Sequence, residues 1–222
     1  MRLLAIDTTW EACSVGIVSG DRVVTRSDVI GRGHAEMLMG QVESAMAEAG
    51  IAFAELDRIA VTVGPGSFTG LRVGIAAARG FALVSGQPAA GIGVLDVHAA
   101  EARETLGAVP VLAVLAAGRG EVYGERFAAD GAPLEAPAAA SPELFAAHLE
   151  PGMVVTGSGA DLVLAALPMD VHPAIAHRRS SPDIAVLCRF ALAAPAGEGP
   201  PRPLYVRAPD AKPQAAARIA RR

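Results

Sequence analysis

The stretch IAVTVGPGSFTGLRVGIAAARGFAL, residues 59–83, runs from an apolar segment through Gly64-Pro65-Gly66-Ser67-Phe68-Thr69-Gly70 into an alanine-rich segment. Residues 57–63 read as a buried strand and residues 68–85 as a helix closed by Gly86 and Pro88. A glycine turn between strand and helix leaves amides free for an anion. A phosphate loop, however, needs a lysine and a hydroxyl after its glycines, and the only lysine in the chain is Lys212. The spacing of Gly64, Gly66 and Gly70 also departs from the dinucleotide fingerprint, and no acidic residue stands at a second strand end in the required place. A packing reading carries more weight. Gly70, Gly74 and Ala78 are four apart and share one helix face, so another helix or strand can approach until backbone atoms supply the contact.

The segments around this stretch fall into two similar halves. Residues 2–7 form a short apolar run ending in Asp7; residues 13–19 alternate, turn at Gly20-Asp21, and meet a hairpin partner over 22–29. Ala35, Leu38, Met39, Val42, Ala45, Met46 and Ala49 recur at helical spacing, and Gly50 supplies a stop. The second half repeats the order. Residues 109–117 are apolar, 120–128 alternate, Asp130-Gly131 turns, and a weaker run follows near 133–138. Ser141 and Pro142 open a helix, GMVVTGSGA is a strand leaving into a glycine turn, and DLVLAAL is a short helix. The pattern predicts an α/β protein built from a duplicated unit of three strands, helix, strand and helix, joined near 100–108.

The chain has 222 residues, of which 52% are hydrophobic and only 4% aromatic, so its core must be made of Ala, Val, Leu and Ile. A net charge of −4 argues against nucleic-acid binding by the whole surface. Its C-terminal end is nevertheless basic, with Arg202, Arg207, Lys212, Arg218, Arg221 and Arg222 against Asp210. Such an end reads as a solvated tail or as a contact for RNA or an acidic partner. Cys13 and Cys188 form no CxxC pair, which fits a reducing cytosol. The chain shows no signal peptide, and Gly, Arg or Pro interrupts its apolar runs, so a cytoplasmic protein without a membrane span is expected.

Candidate chemistry is sparse. Asp7, with Thr8 and Thr9, could hold magnesium through water and so a nucleotide phosphate, with Gly66 and Ser67 at the turn; equally, these groups could satisfy turn backbone. The first alternative would make the chain a small magnesium-dependent ATPase or phosphotransferase. His34, His98, His148, His172 and His177 include no His-x-x-x-His pair and no HExxH, and His98 has Asp96 nearby but no second histidine. Surface or capping roles are expected for them, with no metal site and no metallopeptidase. Ser67 lacks the GxSxG elbow.

IDTT, GHAEML, IAVTVGPGSFTGLRVG, GEVY and LYVRAPDAKP occur in the order seen in the TsaB family, formerly YeaZ. The chain resembles that family from near residue 2 to near residue 213, and GPGSFTGLR is the specific part. The resemblance implies two tandem actin/Hsp70-like domains (RNase H-like, ASKHA). The N-terminal one, carrying the pairing helices, would span 1–104 and a smaller one with the basic tail 105–222. It implies a noncatalytic subunit that pairs with TsaD, the transferase that places threonylcarbamoyl on the adenosine beside the anticodon of tRNA. TsaE joins the assembly, tRNA is met indirectly, and a homodimer forms when TsaD is absent. No cofactor is expected on this chain alone, ATP with magnesium being left to the assembled complex. The implied partner surface comprises His34, Met37, Leu38, Gln41, Phe68, Gly70, Leu71, Arg72, Val73, Gly74, Ala77 and Phe81. Two such helices per side could build an interface of about 1,600 Å². One departure is visible: Ala116-Ala117-Gly118 stands where the family usually has Asp-Ala-Arg, which removes a carboxylate from the second domain's cleft.

Overall fold

In the computed structural model, which describes residues 1–195 and 199–207, strand β1 (Arg2–Asp7) lies at the centre of the first sheet. Its side chains alternate between two fully covered faces, Leu4 and Ile6 on one and Leu3 and Ala5 on the other. β2 (Ala12–Ser19) pairs with β1 antiparallel, and β3 (Arg22–Val29) lies outside β2. On the other side β4 (Arg58–Gly64) pairs with β1 in parallel, and β5 (Ala89–Gly93) completes the order β3-β2-β1-β4-β5. Helices α1 (His34–Ala49) and α2 (Phe68–Ser85) cover the Leu4 face. Glycines in the left-handed conformation close both, Gly50 after α1 and Gly86 after α2.

α3 (Val94–Leu106) follows β5 and lies between the two halves of the molecule. Its Val97 faces the first sheet, while Val94, Leu95, Ala99 and Ala102 pack on Val111, Ala113, Leu115 and Phe127 of the second. That second sheet runs β8-β7-β6-β9, from β6 (Val111–Gly118), β7 (Glu121–Phe127), β8 (Ala138–Ala140) and β9 (Val154–Thr156). Its far face is covered by α4 (Pro142–Ala147) and α5 (Ala160–Ala165). The duplicated unit is therefore present in the topology. In both sheets a first strand pairs antiparallel with the second and parallel with the strand after the helix.

Three expectations change. The run near 133–138 is mostly not strand: Pro133 makes only an isolated antiparallel bridge with Phe127, and the continuous ladder with β7 is confined to Ala138–Ala140. The join expected near 100–108 overlaps α3, a helix whose two faces serve two sheets. A division at residue 104/105 also separates parts that pack together, because α6 (Ile184–Ala193) returns to the first sheet. It lies there with Ile184, Leu187, Cys188 and Ala191 on Leu3, Ala5 and Val18. The strap after it pairs with the same lobe, Leu204 N–H donating to Val63 O at 2.8 Å.

Gly16 in β2 makes room for α6: a Cβ there would run into Cys188 Sγ and come within 3.2 Å of Ile184 Cγ1. Gly16→Ala should lower Tm by ~2–6 °C, read by circular dichroism. In a Cys188→Ala background the same change should cost less than half as much, because the obstructing sulfur is gone.

Candidate functional site

The glycine turn is filled by the chain itself. Thr8 and Thr9, just after β1, lie across the start of α2. Ser67 N–H donates to Thr9 O at 2.7 Å, and Thr8 Oγ1 donates to Gly70 O at 2.7 Å. Ser67 also caps α2, its Oγ accepting from Gly70 N–H at 3.0 Å. A Cβ on Gly66 would sit 2.7 Å from Thr9 O, and one on Gly74 would sit 2.6 Å from Thr8 Oγ1. On Gly70 it would overlap the Thr8 carbonyl oxygen outright. The glycines thus admit backbone rather than phosphate.

Asp7 has no open face toward a cleft. It is 0% exposed, and its Oδ1 accepts from Thr9 Oγ1 at 2.6 Å, Thr62 Oγ1 at 2.5 Å and Thr9 N–H at 3.3 Å. Oδ2 is buried without a hydrogen-bond partner. Burial outweighs these hydrogen bonds and raises the Asp7 pKa above the usual carboxylate value, favouring the neutral acid. The reading of Asp7, Thr8, Thr9, Gly66 and Ser67 as a magnesium–phosphate cradle is corrected accordingly: their polar groups are largely spent on one another.

The expected partner surface divides in two. Leu38, Gly70, Leu71 and Gly74 belong to the chain's own interior. His34 and Gln41 are also buried, with His34 Nε2 bonded to Trp10 O at 2.8 Å and Gln41 Nε2 donating to Asp28 Oδ2 at 2.7 Å. The small-residue face of α2 therefore meets β1 and β4 rather than solvent. Its opposite face is the open one. Phe68 is 58% exposed, Leu83 86% and Val84 83%, and Met39 of α1 is 54% exposed. Met37 and Arg72 are exposed as well, while Val73, Ala77 and Phe81 are half-buried. An apolar groove of about 530 Å³ runs between the helices, lined in part by Leu38, Met39, Phe68, Val73, Ala76 and Ala77.

At its rim the Arg72 guanidinium lies 3.4 Å from the Phe68 ring centroid, and Arg72 Nε donates to Tyr205 Oη at 3.2 Å. Tyr205, from the C-terminal strap, stacks on Phe68 at 5.9 Å. The signal that sequence reasoning missed here was in the last turn of α2, where Leu83 lies opposite Gly74 on the helix and Val84 is exposed beside it. Of the basic end, Arg207 reaches Glu121 and the Ala117 carbonyl; Lys212, Arg218, Arg221 and Arg222 lie outside the described residues.

The histidines also depart from expectation. His148 does cap, its Nδ1 meeting Leu144 O at 2.8 Å. His98 is completely buried, however, and the fold brings His177 and Glu101 to it as a group able to hold a metal ion. Sequence spacing hides this set because His177 comes from a loop far along the chain.

Two sheets of matching strand order, flanked by helices in two lobes, define an α/β protein consistent with the actin-like superfamily. Residues 27–153 match the family described as TsaD, tRNA N6-adenosine threonylcarbamoyltransferase. An uncharacterised protein of Mycobacterium tuberculosis is 39% identical over 218 residues, 96% of this chain and 95% of its own. The tRNA threonylcarbamoyladenosine biosynthesis protein TsaB of Escherichia coli is 37% identical over 130 residues, 59% of this chain and 56% of its own. The solved structure of YeaZ from Pseudomonas aeruginosa matches with a TM-score of 0.76 at 30% identity, over 86% of this chain and 92% of that one. The chain belongs to the YeaZ/TsaB family.

Gly70→Ala should lower Tm by ~2–10 °C, since its methyl meets backbone that cannot rotate away. Because the folded-state pKa of Asp7 is raised, the folded chain holds a proton that the unfolded chain releases above its ordinary 3.8. Stability should fall as pH rises beyond that value, toward and through the folded pKa. Asp7→Asn should flatten this slope, measured as the urea midpoint at pH 4 and pH 7.

Proposed function

We propose that this chain is a noncatalytic subunit for threonylcarbamoyl transfer to tRNA, docking on TsaD through the outer face of α1 and α2. The observation that carries the reading is the exposed apolar groove between those helices, with Met39, Phe68 and Val73 beside half-buried Ala77. Apolar surface of this kind is characteristic of docking sites, and methionines suit a surface that accepts more than one partner. The same face would close a homodimer when TsaD is absent. TsaE would join the pair, tRNA would be met through the complex, and ATP with magnesium would belong to the assembly. Two tandem actin/Hsp70-like domains and a cytoplasmic location complete the proposal.

Family membership supports it, as does the Escherichia coli relative, a tRNA threonylcarbamoyladenosine biosynthesis protein. The buried, internally bonded Asp7 gives no support to an independent ATPase.

The outer face can be tested without touching the core. Met39→Glu and Ala76→Glu each place a carboxylate in the groove at exposed positions. Each should weaken pairing with TsaD from the same source by about tenfold or more, measured by sedimentation velocity, while Tm stays within ~2 °C. The modification of tRNA by TsaD and its partners should need the wild-type chain and fall with either variant. Undiminished pairing in both variants would move the interface elsewhere.

A further inference from the structure

We infer that His98, Glu101 and His177 form a binding site for one divalent transition metal ion, of which Zn²⁺ is the best match, and that the ion ties α3 to the loop preceding α6. His98 and Glu101 are three apart on α3 and so share a helix face. His177 is delivered by the 174–181 segment, whose backbone pairs with β9 and with Gly157. One donor atom from each residue lies within 4.8 Å of the other two.

Two of the three separations have the length a tetrahedral ion demands. His98 Nδ1 is 3.3 Å from His177 Nε2, and His177 Nε2 is 3.3 Å from Glu101 Oε2. Zinc–nitrogen and zinc–oxygen bonds of about 2.0–2.1 Å at tetrahedral angles place neighbouring donors about 3.3 Å apart. Two imidazoles and a carboxylate form a donor set that zinc accepts, with the fourth position left for water.

The remote atoms of His98 and Glu101 are held as metal ligands usually are. His98 Nε2–H donates to Ser180 O at 3.0 Å, which leaves Nδ1 as the lone-pair nitrogen. The Arg179 guanidinium binds Glu101 Oε1 and leaves Oε2 facing the cluster. Both anchors come from one short loop.

Glu101 Oε2 supplies an independent indication. It is buried and receives no hydrogen bond, although the His177 ring nitrogen is close by. The one ring proton that His177 places between the imidazoles serves His98 Nδ1. Without a cation, one buried carboxylate oxygen is left unsatisfied, which is unfavourable for such a group. A divalent ion would take the lone pairs of all three donors together. His177 would then carry its proton on Nδ1, and the Arg179 amide, now 3.3 Å from that atom, would turn aside.

The test uses the full-length chain without a histidine tag, stripped with a chelator, equilibrated with Zn²⁺ and desalted. Elemental analysis should find close to one zinc per chain, and zinc should raise Tm. Co²⁺ in its place should give the strong visible absorption of a four-coordinate ion. Glu101→Gln and His177→Ala should each weaken zinc binding at least tenfold while circular dichroism shows a folded chain. Absence of stoichiometric zinc from the wild-type chain, or equal retention in both folded variants, would overturn the assignment. Neither result bears on pairing through α1 and α2.

Discussion

The Thr8–Thr9 backbone pressed into the start of α2 is the contact on which the first lobe depends. A helix usually stands 8–10 Å from what it packs on, the distance being set by side chains at the contact. Here Gly66, Gly70 and Gly74 remove those side chains where the chain leaving β1 crosses the helix. The Thr8 hydroxyl then reaches the Gly70 carbonyl, and the Ser67 amide reaches the Thr9 carbonyl. Both interactions would fail if the helix moved outward by the width of a methyl group. The close approach seats Ile75 and Ala78 among Leu4, Ile6 and Val61. It also fixes which residues of α2 remain outside.

Much of this was legible in sequence. Four of the five first-sheet strands, both helices of its outer layer and their glycine stops follow from apolar periodicity and turn chemistry, and the second sheet repeats the order; the short, glycine-containing β5 carries no such signal. Periodicity does not say which side of a helix carrying both a glycine stripe and exposed apolar residues faces inward. Gly70 and Gly74 could have met a partner's helix as readily as their own chain, and the Thr8–Thr9 contact decides the matter. The same limit hid α6. Its apolar residues do not say which sheet they cover, and the fit of Cys188 against Gly16 places it on the first. The His98 cluster was illegible for a different reason: its members come from one helix and one distant loop, and no local spacing records their meeting.

The two lobes are joined by more than the chain between them. α3 offers one face to each sheet, and α6 crosses back to the first. The strap then runs from Val63 and Arg79 past Phe68, and Arg207 ends it against Glu121 and the Ala117 carbonyl of the second sheet. Ala117, near the end of β6, thus offers its backbone carbonyl to a guanidinium from the strap. Asp7, by contrast, is engaged within the first lobe, by Thr9 and Thr62.

The composition of α2 can then be understood as two demands on one helix. By length and a mean hydropathy of 1.2 it could cross a bilayer, yet its inner face is occupied by the sheet. Withdrawing it would expose Ile6, Ile59 and Val61 to water, at about 25 cal/mol for each Å² uncovered. The sheet uses only one side. Phe68 and Leu83 stand away from it, and Val84 is exposed at the helix end, where the chain's own fold provides little cover. Arg72 and Tyr205 shield part of Phe68, leaving the groove beside Met39 open. An inner face of glycines and an outer face of large apolar residues is an uneconomical pattern for a helix that serves only its own core. It becomes intelligible when the outer face has a second surface to meet.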